Sequence, residues 1–96
     1  MRIEVGGKEF QLQELTLNDW VLGEDMGLEI ERLQTGRVKL RDLRTLCFIA
    51  LHRVDEKITE DWVGKNISFT DGSITDSIVN FIMPKEVKKG KKAKTT

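Results

Sequence analysis

Residues 40–54 form the stretch that most constrains the fold of this chain. Most of its apolar residues recur with the spacing of one helix face and form a stripe. Phe48 and Ile49 lie outside this stripe and point to two other sides of a helix. A helix that is apolar on more than one side is covered by several neighbours or offered to a partner. The stretch therefore predicts a central helix that needs a core on one side and neighbours or a partner on the others. The stripe itself has the spacing of one helix face and consists of Leu40, Leu43, Leu46, Cys47, Ala50, Leu51 and Val54.

Residues 2–12 alternate between apolar and polar side chains on both sides of a glycine pair, Gly6-Gly7. Such a pair adopts the positive φ angles that a two-residue hairpin turn requires, so the pattern predicts a β-hairpin. A two-stranded hairpin is marginally stable on its own in water and needs a helix to lie on. We expect its covered face to consist of Ile3, Val5, Phe10 and Leu12.

Residues 16–36 predict one or two helices between the hairpin and the central helix. Thr16 and Asp19 have the spacing of a capping box at the start of the segment. Gly23 and Gly27 interrupt the apolar pattern, and each costs about 1 kcal/mol relative to Ala inside a helix. The pattern favours a break near Gly27, with close contact between helices through the two glycines as the alternative. Gly36 is expected to end the segment as a C-terminal glycine.

Two further helices are expected after the central one. Thr59 is placed to cap the first of them, which Gly64 should keep short, and Ser73 and Asp76 have capping-box spacing at the start of the second. Pro84 is expected to stop the last helix because its ring clashes with the preceding turn. The prediction is a mainly α domain over residues 1–84, a bundle of about four helices with an N-terminal β-hairpin, followed by a disordered lysine-rich tail over residues 85–96.

The charge of the chain is unevenly distributed although its net value is zero. Residues 85–96 contain six lysines and one glutamate, so the tail carries a charge of +5 and residues 1–84 carry −5. Such a tail attracts phosphates, but it has no arginine or aromatic residue for specific nucleic-acid contacts. The interpretation favoured here is a solvated tail without a dedicated ligand.

No catalytic or cofactor-binding pattern is recognisable in the sequence. Cys47 and His52 are the only cysteine and the only histidine, and their separation of five residues does not place them side by side on a helix. We therefore expect a core role for Cys47, a helix-end role for His52, and no enzymatic activity, cofactor or metal site. The single cysteine, the absence of a secretion signal and the absence of a membrane span lead us to expect a cytoplasmic protein.

Three segments together resemble a known family. They are GGKEFQLQELTL, LEIERLQTG and CFIALHRVDEKITEDWV, followed by a short helix and a lysine-rich end. This succession resembles the tail assembly chaperones of long-tailed (siphovirus-type) bacteriophages and prophages. The resemblance implies a non-enzymatic protein of the host cytoplasm that binds the tape measure protein, helps to recruit the tail tube protein and is absent from the mature virion. It also implies that a longer form made by ribosomal frameshifting can exist.

A chaperone for helical segments needs an apolar surface rather than a polar pocket. The candidates for that surface are Trp20, Met26, Phe48, Ile49 and Met83. The alternative is that these residues are buried, and self-association through the same surface is equally compatible with the pattern. If Phe48 is exposed, Phe48→Asp should weaken binding and leave the circular dichroism spectrum near native.

Two rival functions remain open at this point. The first is a small nucleic-acid-binding phage protein that uses the lysine tail, although the acidic body argues against it. The second is a structural subunit of the head-to-tail connector, which purified virions would contain.

Overall fold

The computed structural model describes residues 1–68, 70 and 72–83. Within these residues a two-stranded antiparallel hairpin precedes five helices, which confirms the predicted fold class. The predicted stop at Pro84 and the predicted disordered tail over residues 85–96 lie outside the described residues. In chain order the elements are β1 (Arg2–Val5), β2 (Lys8–Gln11), α1 (Leu17–Asp25), α2 (Ile30–Thr35), α3 (Leu40–Val54), α4 (Glu60–Asn66) and α5 (Gly72–Ile82).

The hairpin forms as its sequence pattern predicts. Gly6 and Gly7 have φ angles of 57° and 81°, which a two-residue turn between twisted strands requires. The register pairs Ile3 with Phe10, so the alternating apolar residues share one face. Ile3 is half-buried, whereas Val5, Phe10 and Leu12 are buried. This face packs on the helices, and the Phe10 ring meets the Trp62 ring of α4 edge to face, with centroids 6.0 Å apart.

The break predicted near Gly27 separates α1 from α2. Gly27 has a φ angle of 100°, which other residues rarely adopt, and the chain changes direction there. Gly23 has a different role, because a Cβ atom at this position would lie 3.0 Å from Leu28 Cδ2 and 3.5 Å from Ile49 Cδ1. Thus the predicted break occurs at Gly27, and the alternative, close contact between helices, occurs at Gly23. Gly36 ends α2 in a left-handed conformation, as predicted.

Helix α3 lies at the centre of the domain and contacts α1, α4, α5 and β2. All residues from Thr45 to Leu51 are buried, because neighbours cover this part of the helix on every side. Phe48 is 8% exposed and Ile49 is 1% exposed, so the prediction that these two residues form an exposed surface is wrong. Ile49 faces α1 near Gly23, and the Phe48 ring stacks on the His52 ring at 4.9 Å.

The last two helices begin differently. Thr59 Oγ1 accepts a hydrogen bond from the backbone N–H of Trp62 at 3.1 Å, which confirms the predicted cap of α4. Helix α4 has seven residues and continues past Gly64 to Asn66. Helix α5 begins at Gly72, so Ser73 is its second residue rather than its cap.

Candidate partner-binding groove

A groove of about 340 Å³ lies between α3, α4 and α5. Gly64 of α4 lines the groove without contributing a side chain to it. A Cβ atom on Gly64 would lie 3.4 Å from Cδ of Arg44, so the aliphatic part of Arg44 crosses α4 closely at this point. The groove is lined by Leu40, Arg41, Leu43, Arg44, Cys47, Val63, Gly64, Ile67 and Thr75.

The floor of the groove is apolar and its rim is partly exposed. Cys47 and Val63 are 2% and 1% exposed, whereas Leu40 at the rim is 61% exposed. Burial raises the pKa of the Cys47 thiol to about 12, so the thiol stays neutral and behaves as a small apolar group. A neutral buried thiol does not act as a nucleophile at neutral pH, and the groove offers apolar contact rather than covalent chemistry.

Positive side chains cluster in and before the first turns of α3, and two of them, Arg41 and Arg44, line the groove. Residues 37–44 contain four exposed cations, Arg37, Lys39, Arg41 and Arg44. Arg44 forms an ion pair with Glu60 at 3.5 Å, between side chains that are both exposed. Arg37 and Arg41 form no ion pair with any residue in the described part of the chain. The start of α3 is therefore a basic surface on a body whose net charge is −5.

The one acid in this stretch, Asp42, is turned inward and neutralised. Asp42 is 1% exposed and accepts hydrogen bonds from Arg32 Nε at 2.9 Å and from Arg32 Nη2 at 2.6 Å. The hydrogen bonds from Arg32 lower the pKa of Asp42, against the opposing effect of burial. Asp42 also accepts a hydrogen bond from the backbone N–H of Lys39 at 2.9 Å, which caps α3. This pair ties α2 to the first turn of α3 and so positions Leu40 and Arg41 at the groove.

Arg32 reaches a second segment as well. Its Nη2 donates to the carbonyl oxygen of Gly27 at 3.0 Å, and its Nη1 lies 2.9 Å from Glu29. One side chain thus connects the break after α1, the start of α2 and the start of α3. Sequence analysis missed this role, although the position of Asp42 three residues after Lys39 is the N3 position of a helix cap.

The five residues predicted to form a binding surface do not line the groove. Trp20 lies in α1, Met26 is its C-terminal cap residue and Met83 follows α5; all three are half-buried and pack against the core. Phe48 and Ile49 are core residues, as described above. The helical spacing of Leu40, Leu43 and Cys47 assigned these groove residues to the core stripe. The cluster of cations in residues 37–44 is the signal that could have identified the exposed side.

A second apolar surface lies on α1. Leu17 is 79% exposed and Val21 is 44% exposed, one helical turn apart, with the half-buried Trp20 beside them. Asp19, Glu24 and Asp25 lie in the same helix, which contains no lysine or arginine. Helix α1 therefore carries acids where the groove is lined by arginines, and one of these acids, Asp19, pairs with Arg53 at 3.5 Å.

No group of histidine, cysteine, aspartate and glutamate side chains in residues 1–68, 70 and 72–83 is arranged to hold a metal ion. None of the helices in the same residues has the length and apolar composition needed to cross a membrane. Comparison with known proteins finds no matching protein family, no matching curated protein and no matching solved structure.

Proposed function

We propose that this chain is a tail assembly chaperone of a long-tailed bacteriophage or prophage that binds the tape measure protein in the host cytoplasm. It acts without catalysis, helps to bring the tail tube protein to the tape measure protein, and leaves before the virion is complete. The observation that carries the proposal is the groove between α3, α4 and α5, with an apolar floor and an exposed leucine at its rim. The resemblance of three sequence segments to this family supplies the identity of the client.

The groove suits a reversible contact with a client helix. An amphipathic helix places apolar side chains at intervals of three or four residues into such a groove. While those side chains are covered, they cannot associate with the same side chains of other tape measure chains, which limits aggregation. Small and partly exposed contact areas are typical of transient complexes, and a chaperone that leaves the assembly needs such a contact.

The segments that carry the resemblance contribute to both the frame and the groove. GGKEFQLQELTL forms the hairpin turn, β2 and the first residue of α1, and LEIERLQTG covers the link after α1, α2 and its closing glycine. CFIALHRVDEKITEDWV runs from the middle of α3 into α4, and its two end residues, Cys47 and Val63, form the floor of the groove. The proposal thus concerns a surface built partly from the segments on which the resemblance rests.

The proposal is tested by co-expressing the full chain with the tape measure protein from the same genome. We expect the tape measure protein to move from the insoluble to the soluble fraction and to co-purify with the chain. Co-expression with an unrelated small helical protein is the control for a general effect of expression. If the tape measure protein stays insoluble and does not co-purify, the proposal is wrong.

The four cations at the start of α3 support nucleic-acid binding as a second candidate function. A basic surface attracts phosphates with a strong dependence on salt. In this chain the cations alternate with exposed apolar residues, Val38 and Leu40, and the body as a whole is acidic. Binding of a DNA duplex that weakens steeply with added salt, together with failure of the co-expression test, would favour this function. A connector subunit is distinguished from a chaperone by its presence in purified virions.

A further inference from the structure

We propose that the groove between α3, α4 and α5 binds an amphipathic helix of the tape measure protein whose apolar stripe is flanked by aspartate and glutamate. This inference rests on the proposed function and adds to it the binding surface and the chemistry of the client segment. It follows from two properties of the groove that occur together, namely exposed apolar side chains and two lining arginines, of which Arg44 shares its charge with Glu60.

The fold leaves several apolar side chains of the groove partly uncovered. Leu40 is 61% exposed although it begins the most buried helix of the domain. Leu43 and Ile67 are half-buried on the two sides of the groove, above the buried floor. A helix laid along the groove would remove these side chains from water, which is favourable in proportion to the apolar area covered.

The positive charge at the groove favours a client segment that carries negative charge. Arg41 and Arg44 line the groove, and Arg37 and Lys39 precede it in the chain. The only acid among residues 37–44 is neutralised by Arg32 and does not reduce this charge at the surface. Carboxylates beside the apolar stripe of a client would meet these cations, which speeds association. A client rich in lysine and arginine would be repelled by the same cations.

The same charges argue against one other occupant of the groove and against one other site for the client. The chain's own residues 85–96 contain six lysines, and like charges repel such a segment from a groove lined by two arginines. The α1 surface is a poor alternative for an acidic client, because α1 contains three acids and no base. An acidic helix therefore prefers the groove, whereas a basic helix would prefer α1.

The experiment uses the full chain and labelled peptides that tile the tape measure protein of the same genome. Peptides of about 25 residues form roughly seven helical turns, which is longer than the groove. Fluorescence anisotropy ranks their affinities for the wild-type chain. The strongest binder is then made again with every aspartate and glutamate replaced by lysine.

Two pairs of variants separate charge from apolar contact. The first pair consists of two double variants. One carries Arg41→Glu and Arg44→Gln together, and its control carries Lys57→Glu and Arg2→Gln together, which changes the net charge by the same amount. Gln rather than Glu at position 44 avoids repulsion from Glu60, with which Arg44 is paired. Lys57 follows the far end of α3, about 15 Å along the helix from Arg44, and Arg2 lies at the open end of the hairpin.

The second pair compares Leu40→Gln with Leu17→Gln. Each leucine is the first residue of its helix and each is exposed, at 61% and 79%. The two substitutions are therefore expected to affect folding equally little. They differ only in whether the side chain lies at the groove or on α1.

We expect the strongest binder to be rich in aspartate and glutamate beside its apolar stripe. Arg41→Glu with Arg44→Gln should weaken its binding about tenfold and reduce the salt dependence, while the control pair should leave both unchanged. Leu40→Gln should weaken binding by about five- to tenfold and Leu17→Gln should not. The lysine-substituted peptide should bind the wild-type chain poorly and the double arginine variant better.

Three results would overturn the inference. If no peptide binds the wild-type chain, both the inference and the proposed function fail. If peptides bind but only Leu17→Gln weakens them, the client lies on α1 and the chaperone function stands without this groove. If the chain alone is a dimer in sedimentation experiments and the double arginine variant is a monomer, a second copy of the chain occupies the groove.

Discussion

Replacing Asp42 by asparagine should destabilise the domain far more than its place near a helix start suggests. Asp42 is 1% exposed, and its two oxygens accept hydrogen bonds from Arg32 Nε, Arg32 Nη2 and the N–H of Lys39. The asparagine side chain would keep the shape of the carboxylate and one of its oxygens. It would lose the negative charge and turn an N–H₂ group toward the donors of Arg32.

The expected cost follows from the bonds that are lost. A hydrogen bond that involves a charged group contributes about 1.5–3 kcal/mol, and Asp42 accepts two such bonds from Arg32. The Arg32 side chain is 18% exposed, so water compensates part of the loss on its side. We therefore expect Asp42→Asn to lower the free energy of unfolding by about 2–4 kcal/mol. In a domain of this size that corresponds to a fall in melting temperature of roughly 10–20 °C.

Thermal unfolding followed by circular dichroism near neutral pH measures this change. Asp61→Asn is the matched control, because Asp61 also lies in the first turn of a helix and pairs with a base, Lys65, at 3.1 Å. Both side chains of that pair are exposed, so the control should change the free energy of unfolding by less than about 1 kcal/mol. Equal melting temperatures for Asp42→Asn and the wild-type chain would refute the structural role assigned to Asp42.

The same pair predicts a dependence on pH. The hydrogen bonds from Arg32 lower the pKa of Asp42 below its ordinary value of 3.8 in the folded state. A lowered folded-state pKa means that the stabilisation is fully present above the unfolded-state pKa and is lost as the pH falls through the folded-state pKa. The difference in unfolding free energy between wild type and Asp42→Asn should be constant above about pH 5 and decrease below about pH 4. Urea unfolding across this range measures it, and a difference that grows in acid would contradict the assignment.

Three further predictions concern the core and the helix starts. Phe48→Asp should unfold the domain, since losing a buried ring costs about 3–5 kcal/mol and a carboxylate would be buried as well; a native circular dichroism spectrum would show that Phe48 is not a core residue. The Cys47 thiol, with its pKa raised to about 12, should react slowly with a disulfide reagent in the folded chain and rapidly in urea, and equal rates would contradict its burial. Thr59→Ala should lower the free energy of unfolding by about 1 kcal/mol in urea titrations by removing the cap of α4, and an unchanged midpoint would contradict that role.

Local sequence patterns were sufficient for the elements whose causes are local. The hairpin follows from alternation around Gly6-Gly7, the break from Gly27, and the start of α4 from the hydroxyl of Thr59. Each of these causes acts within a few residues of the feature it produces. The helix start at Leu40 has a less local signal, because it depends on the carboxylate of Asp42 on the third residue of the helix, and α5 begins at Gly72 rather than after Ser73.

The candidate site could not be predicted in the same way. Whether Phe48 and Ile49 are exposed depends on how many elements surround α3, which periodicity does not reveal. Periodicity also assigned Leu40 to the buried stripe, whereas α4 and α5 leave that end of the stripe uncovered. The bond between Arg32 and Asp42 joins residues ten positions apart across a change of direction, so the two side chains have no recognisable spacing in the sequence.

We infer that the groove between α3, α4 and α5 holds the client helix. Hydrogen–deuterium exchange of the full chain, alone and in complex with the co-purified tape measure protein, tests it most directly. We expect slower exchange on binding in residues 40–47 and 63–67, with little change in α1. Slower exchange confined to α1, or an unchanged exchange pattern throughout the chain, would contradict it.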